Sequence, residues 1–213
     1  MHNSLAPVLD SIYLLSLTCE QFSHAIRTPL STALGALDDL TTGHVLSAKD
    51  IREARQAAQE ILDQLDALRI IAMPIEFIPR EYDLAQLVEQ HFTNSNLQLD
   101  ILLRPLIVRG DPQLILRMLE CLVRYLETHG HGPIIRTTMT ANEVELQVFY
   151  RCTTQDRHSH LQKAKDYQAL VESLYQIESL ILRFADLLAR LHNTKIGLYN
   201  SASKTFGFRI VFF

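Results

Sequence analysis

Cysteine is scarce in this chain, which has only Cys19, Cys121 and Cys152 among its 213 residues. An odd number of cysteines without a Cys-x-x-Cys spacing supports neither a disulfide framework nor a cysteine zinc site. There is no basic excess either, because the formal net charge is −4 and the pI about 6.1. The charge therefore gives no sign of binding to nucleic acid or to a membrane surface.

Long apolar runs are also missing near the start of the sequence. The run from Ile12 to Leu17 is too short to span a bilayer, and no basic segment precedes it. We therefore expect neither a membrane span nor a secretory signal there, and the expected location is the reducing cytoplasm.

Apolar residues recur at helical spacing through the first forty residues. The intervals are three or four residues throughout, which is typical of an a/d stripe on a long helix. The stripe consists of Val8, Ile12, Leu15, Cys19, Phe22, Ile26, Leu30, Ala33, Leu37 and Leu40. Such a helix would be roughly 50 Å long, and Pro29 within it predicts a kink.

A second amphipathic helix is expected after the break at Thr41–His44. Ser47 is its predicted N-cap, with Asp50 in the first turn, and Met73-Pro74 ends it. Its apolar stripe consists of Ile51, Ala54, Ala58, Ile61, Leu65, Leu68 and Ala72. The two helices predict a hairpin, and two hairpins can bury both stripes as a four-helix bundle. The sequence therefore predicts a homodimer.

The pattern changes after residue 74, which predicts two domains, 1–74 and 75–213. Residues 74–82 are expected to be a proline-flanked linker, and the mixed strands and helices beyond it predict an α+β domain. The expected helices run from Asp83 to about Phe92 and from Asp111-Pro112 to about Glu127. A third helical stretch, which could be in two pieces, runs from Tyr167 to about Leu191. The expected strands are Leu97–Leu103, Leu106–Arg109, Ile134–Met139, Val144–Tyr150, Lys195–Tyr199 and Phe206–Phe213, with residues 153–163 as a loop.

One histidine of the first helix is placed for chemistry. His24 lies two residues from both Phe22 and Ile26, so it points roughly 160–200° away from the apolar stripe and should be exposed. A neutral imidazole is a competent nucleophile near pH 7. Arg27 and Thr28 follow at i+3 and i+4, on the same helix face.

The stretch Phe22-Ser23-His24-Ala25-Ile26-Arg27-Thr28-Pro29-Leu30 resembles the phosphoacceptor box of sensor histidine kinases, Phe-Ser-His-Glu-Leu-Arg-Thr-Pro-Leu. The resemblance implies that His24 accepts the phosphoryl group, with Ser23, Arg27 and Thr28 as supporting residues. Position 25 departs from the family, because the acid that is thought to act as base for attack on ATP is alanine here. Thr28 matches the position that the family uses to place a water for dephosphorylating the receiver.

Residues 83–213 resemble the ATP-binding domain of the same kinases, but the residues for ATP are missing. Counting from Asp111, the two asparagines of the family's helix, the second a magnesium ligand, are replaced by Cys121 and Tyr125. The Asp-x-Gly-x-Gly loop has no counterpart in Tyr150–Thr154, and residues 133–196 contain no glycine. Phosphate cradles need such residues, because other side chains block the approach of the backbone. No ATP binding by the usual route, and no cofactor or metal of the chain's own, is therefore expected.

The whole chain resembles the dimeric histidine phosphotransferases of bacterial phosphorelays, which are built as degenerate histidine kinases. The resemblance implies transfer of a phosphoryl group between the aspartates of response-regulator receiver domains, with the receiver supplying the magnesium. Alternatives are a pseudokinase that only binds a kinase or a receiver, a receiver phosphatase that uses Thr28, and an active kinase with an unusual nucleotide site. His24 could also be an ordinary surface histidine.

Overall fold

The structure is a computed structural model that describes residues 23, 26–72, 75–93, 97–101, 104–128, 132–139, 143–151, 160–174, 176–201 and 205–212. The chain divides into two compact units, unit 1 (Met1–Met73) and unit 2 (Pro74–Phe213). In the part of the chain that the structure describes, none of the helices is long and apolar enough to cross a bilayer.

The described part of unit 1 includes helix α1 over residues 26–41 and helix α2 over Ala48–Ala72. Helix α1 ends where the N–H groups of Thr42 and His44 bond to the carbonyls of Asp38 and Asp39. Gly43 lies in the turn with a φ of 81°, a left-handed conformation that glycine adopts at no steric cost.

Ser47 and Asp50 begin helix α2 with reciprocal hydrogen bonds. The Asp50 N–H donates to Ser47 Oγ at 3.2 Å, and the Ser47 N–H donates to Asp50 Oδ2 at 2.8 Å. This capping box satisfies two backbone donors that the helix leaves free. Hydrogen bonding to Ser47 lowers the pKa of the Asp50 carboxyl group. The prediction that Ser47 is the N-cap is confirmed.

Apolar side chains of unit 1 remain exposed along both helices. Each of the following is at least 43% exposed: Leu30, Leu34, Leu37, Leu40, Ile51, Leu62 and Leu65. An amphipathic helix gains most of its stability by packing that face against a partner. In a homodimer, the helices of the second copy would supply that partner by forming a four-helix bundle. The bundle stays a prediction.

Unit 2 is built on a mixed five-stranded sheet. Its strands, in spatial order, are β2 (Gln98–Ile101), β4 (Ile134–Met139), β5 (Val144–Arg151), β7 (Thr205–Phe212) and β6 (Ile196–Ser201). β2 runs parallel to β4, and the other neighbours are antiparallel. A separate two-stranded sheet pairs β1 (Arg80–Asp83) with β3 (Ile107–Gly110).

The helices of unit 2 are α3 (Leu84–Phe92), α4 (Pro112–Thr128), α5 (His160–Lys163), α6 (Tyr167–Ser173) and α7 (Gln176–Leu191). The carboxylate of Asp83 caps α3 through the Ala85 N–H, and that of Asp111 caps α4 through the Leu114 N–H. Helices α4 and α7 pack against each other, and α4 also packs on β5. Along α4, most side chains are buried, so this helix forms the centre of the core.

Most of the predicted elements of this unit are confirmed, and the fold is α+β. Two predictions are wrong. Residues 80–82 belong to strand β1 rather than to a linker, because they pair with β3, and residues 160–163 form helix α5 rather than loop. The predicted turn at 140–142 and residues 152–159 lie outside the described residues.

Candidate functional site

The phosphoacceptor box lies at the start of the described part of unit 1. His24 and Ala25 fall outside the described residues, so the exposure of the His24 imidazole stays a prediction. Ser23 is helical and exposed, and Arg27 and Thr28 are exposed on α1, whereas Pro29 is buried. The Thr28 carbonyl accepts a hydrogen bond from Thr32 Oγ1 at 3.1 Å. The side chains of Ser23, Arg27 and Thr28 are therefore accessible to solvent.

Cys121 and Tyr125 lie one turn apart on helix α4, and both are in the core of unit 2. Cys121 is 0% exposed and Tyr125 is 1% exposed. Burial raises the pKa of the Cys121 thiol to about 12, and it raises the pKa of the Tyr125 phenol as well. Both groups therefore stay neutral at pH 7. A buried neutral thiol and phenol offer a magnesium ion no carboxylate or amide oxygen, which are the ligands that it prefers.

The Tyr125 ring belongs to an aromatic cluster built from α4, α6 and β7. Its ring meets Phe208 of β7 edge to face, with centroids 5.6 Å apart, and Tyr167 of α6 meets the same Phe208 at 5.9 Å. The Tyr167 hydroxyl donates to the Leu182 carbonyl of α7 at 2.6 Å. Such pairs are favourable beyond the area that they bury. The rings fill the space between α4, α6 and the sheet.

The end of strand β5 is also closed by side chains. Tyr150 is 1% exposed and lies 6.3 Å from Phe206, and Phe149 lies 5.3 Å from Tyr199. The Arg136 guanidinium lies 4.9 Å from the centre of the Phe149 ring, and it pairs with Asp100 at 2.7 Å. Aromatic and ion-pair contacts therefore pack the described residues around the end of β5.

Sequence reasoning missed His192, which joins the end of α7 to the start of α4. Its Nδ1–H donates to the Leu188 carbonyl at 2.7 Å, and its Nε2 accepts the Asp111 N–H at 3.0 Å. Its ring also meets Phe77 edge to face at 5.2 Å. A ring with its proton on Nδ1 makes both of these hydrogen bonds at once. His192 and Asp111 are 81 residues apart, so no local signal could have found this contact.

Asp111 holds the same junction with its side chain. Oδ1 accepts the N–H groups of Gln113 and Leu114, and Oδ2 accepts the N–H of Ile78 at 2.7 Å. The carboxylate thus caps α4 and fixes the segment before β1. Within the described ranges, no cluster of three or more histidine, cysteine or acidic residues could hold a metal ion.

Solved structures resemble this chain, although no protein-family profile and no curated protein matches the sequence. The histidine kinase AdeS of Acinetobacter baumannii has a TM-score of 0.56 and 15% identity, over 89% of this chain and 96% of that one. A bacterial phosphotransferase has a TM-score of 0.52 and 16% identity, over 93% and 96%.

A third similar structure is the histidine kinase ThkA in complex with the response regulator protein TrrA. It has a TM-score of 0.63 and 16% identity, over 94% of this chain. The match covers 61% of that chain. Identities this low establish the fold and nothing finer. The chain has a histidine-kinase-like fold, as the sequence resemblance implied.

Proposed function

We propose that this protein is a histidine phosphotransferase of a two-component phosphorelay, in which His24 carries the phosphoryl group. One observation carries the proposal. A stretch that resembles a phosphoacceptor box is joined to a histidine-kinase-like fold, and Tyr125, which the resemblance places at the magnesium ligand, is buried in the core. Such a protein would carry phosphate without taking it from ATP.

The transfer needs no nucleotide. A neutral ring nitrogen of His24 attacks the phosphorus of a receiver's aspartyl phosphate, the new P–N bond forms, and the P–O bond to the aspartate breaks with the carboxylate leaving. The reverse reaction passes the group to the aspartate of a second receiver. Arg27 and Thr28 are exposed and could contact the phosphoryl oxygens, while the receiver brings the magnesium ion.

The comparisons favour this class of partner. One similar structure is a kinase bound to a response regulator protein, and another is a phosphotransferase. The exposed leucines of α1 and α2 support a homodimer. A dimer would offer two phosphoacceptor sites to receiver domains.

Transfer from a phosphorylated receiver tests the proposal. Receivers labelled with radioactive phosphate are mixed with the purified protein, and acid-labile label on the protein is measured. Wild type should become labelled and His24→Ala should not. His44→Ala is a matched control, because His44 is exposed in the turn after α1. Equal labelling of wild type and His24→Ala would contradict the proposal.

The exposed Thr28 favours a second function, dephosphorylation of a receiver. A hydroxyl at this position could orient a water for attack on the aspartyl phosphate. In that case Thr28→Ala would lengthen the lifetime of the phosphorylated receiver, while His24→Ala would still bind it. A pure pseudokinase would instead bind its partner without labelling or dephosphorylation.

Autophosphorylation separates the proposal from an active kinase. With labelled ATP and magnesium, we expect no label on His24, because Ala25 supplies no base and Tyr125 no magnesium ligand. Label that depends on His24 and on magnesium would show a working nucleotide site.

A further inference from the structure

Unit 2 has an open cleft of about 790 Å³ where α7 ends beside strand β6. Strand β6 is the edge of the five-stranded sheet. The other walls are the residues before and at the start of α6, and Arg209 of β7. This volume is within the range of small-molecule sites. The cleft shares no residue with the phosphoacceptor box or with Cys121 and Tyr125.

Two carboxylates line the cleft, and both have partners within the protein. Asp186 pairs with Arg190 at 2.6 Å, one turn along α7. Asp166 caps α6 and accepts the Ala169 N–H at 2.8 Å. A carboxylate held by an arginine or by a helix N-terminus repels an incoming anion less than a free one does.

Three further cations reach the cleft from three different segments. They are Lys165, Lys195 and Arg209, which are exposed and make no ion pair with a carboxylate in the part of the chain that the structure describes. The charge of Lys195 is also favourable near the negative end of the α7 dipole. That explanation does not apply to Lys165 and Arg209, which belong to other elements. Four positive groups against two engaged carboxylates make this cleft positive in a chain of net charge −4.

Gly197 lies against the side chain of Arg209. The two residues are register partners on β6 and β7. A Cβ atom at position 197 would lie 3.2 Å from Arg209 Nε and 3.4 Å from Cγ. The arginine side chain thus rests against the bare glycine backbone. The missing side chain leaves room for the arginine stem over the edge strand.

We infer that this cleft binds a small molecule with two or more phosphate groups. Guanidinium groups bind phosphate through paired hydrogen bonds, and lysine ammonium groups bind it as point charges. Cations on separate walls suit a ligand whose negative charges are also separated. The inference rests on unit 2 alone, and it does not depend on the role of His24.

Calorimetric titration of the full chain with pyrophosphate, at constant ionic strength and without magnesium, tests this inference. Wild type should bind pyrophosphate more tightly than sulfate. The double variant Lys195→Gln/Arg209→Gln should weaken binding at least about tenfold, because two charge-assisted contacts are lost. Both residues are exposed, so the fold should be kept, and Lys165→Gln is a second variant with the same expected direction.

A matched control removes the same charge from unit 1. Lys49→Gln/Arg52→Gln changes two exposed cations of α2 and should leave pyrophosphate affinity unchanged. In the opposite direction, Asp186→Asn should tighten binding, because it frees Arg190 and removes a negative charge from the cleft. Absence of pyrophosphate binding by wild type, or an equal loss in the α2 control, would overturn the inference.

Discussion

By the sequence resemblance, helices α1 and α4 carry the positions that correspond to the phosphate-carrying and nucleotide-binding positions of a histidine kinase. The two helices expose these positions differently. On α1, Arg27 and Thr28 are exposed, whereas on α4 Cys121 and Tyr125 are buried in the core. Exposure suits a group that must meet a partner protein, and a nucleotide needs a cavity. A kinase both exchanges phosphate with a partner protein and binds a nucleotide. The proposed function keeps the exchange with a partner and lacks the nucleotide.

The same glycine substitution should have opposite effects in the two units. In Gly207→Ala, the new Cβ would lie 2.2 Å from the Val148 carbonyl oxygen and 2.5 Å from Phe149 Cα. Backbone cannot move away cheaply, so we expect a loss of about 4 kcal/mol or more in the free energy of unfolding, enough to unfold a marginal domain. Thermal denaturation followed by circular dichroism measures the loss.

Gly35→Ala in α1 is the matched control. A Cβ atom there meets nothing within 4 Å, and alanine in a helix is about 0.5–1 kcal/mol more stable than glycine. This variant should therefore be slightly stabilised. Equal stability changes in Gly207→Ala and Gly35→Ala would contradict the difference in packing around these two glycines.

An asparagine introduced at position 125, where the resemblance places the magnesium ligand, should not create a nucleotide site. Tyr125→Asn removes a ring packed on Phe208 and buries an amide, so we expect a loss of about 3 kcal/mol in the free energy of unfolding. Tyr125→Phe, which keeps the ring, should lose much less. Chemical denaturation measures both.

ATP titration of Tyr125→Asn completes this test. The titration uses the Lys195→Gln/Arg209→Gln background, so that the basic cleft does not bind the phosphates. Magnesium-dependent ATP binding in that background would mean that the site at α4 is intact apart from one side chain.

Local chemistry explains which elements could be predicted from the sequence. Asp83 and Asp111 cap helices through side-chain hydrogen bonds to residues two or three positions away. The starts of α3 and α4 could therefore be predicted from the sequence. Strand β1 was not, because its partner β3 is distant in the chain and Arg80–Asp83 has no apolar alternation. Helix α5, with four residues, is too short to show a helical period.

The candidate site divides in the same way. The resemblance that sets Cys121 and Tyr125 at the positions of the two asparagines could be found by counting along one helix. Closure of the space beside Tyr125 depends on Tyr167 and Phe208, which come from a different helix and from a strand. The cleft likewise joins Lys165 and Arg209 from separate segments. Contacts made by the tertiary fold leave no periodic signal in the sequence.

The packing of His192 against Gly110 should contribute to the stability of unit 2. His192→Ala removes two hydrogen bonds and the packing on Phe77, and should lower the free energy of unfolding by about 2 kcal/mol. In Gly110→Ala, the Cβ would lie 2.6 Å from His192 Cδ2, so the histidine must move and part of the same stability is lost. A double-mutant cycle measures the coupling. Gly110→Ala should be nearly neutral once His192 is alanine, and additive losses would show that the two residues act independently.

The start of α2 is held by a cap rather than by a core, so its loss should be the smallest effect. Ser47→Ala removes the acceptor for the Asp50 N–H and should lower the free energy of unfolding by about 1 kcal/mol. Ser31→Ala, an exposed substitution within α1, should be neutral. Because the folded pKa of Asp50 is lowered from 3.8, its stabilising contribution is present above that value and is lost as the pH falls through the folded pKa. Helicity measured by circular dichroism between neutral and acid pH should show this loss in wild type and less of it in Ser47→Ala. Ser47→Ala could instead prove as stable as Ser31→Ala, with an unchanged pH profile. That result would mean that side-chain packing stabilises the start of α2, as it stabilises unit 2, and that the cap does not.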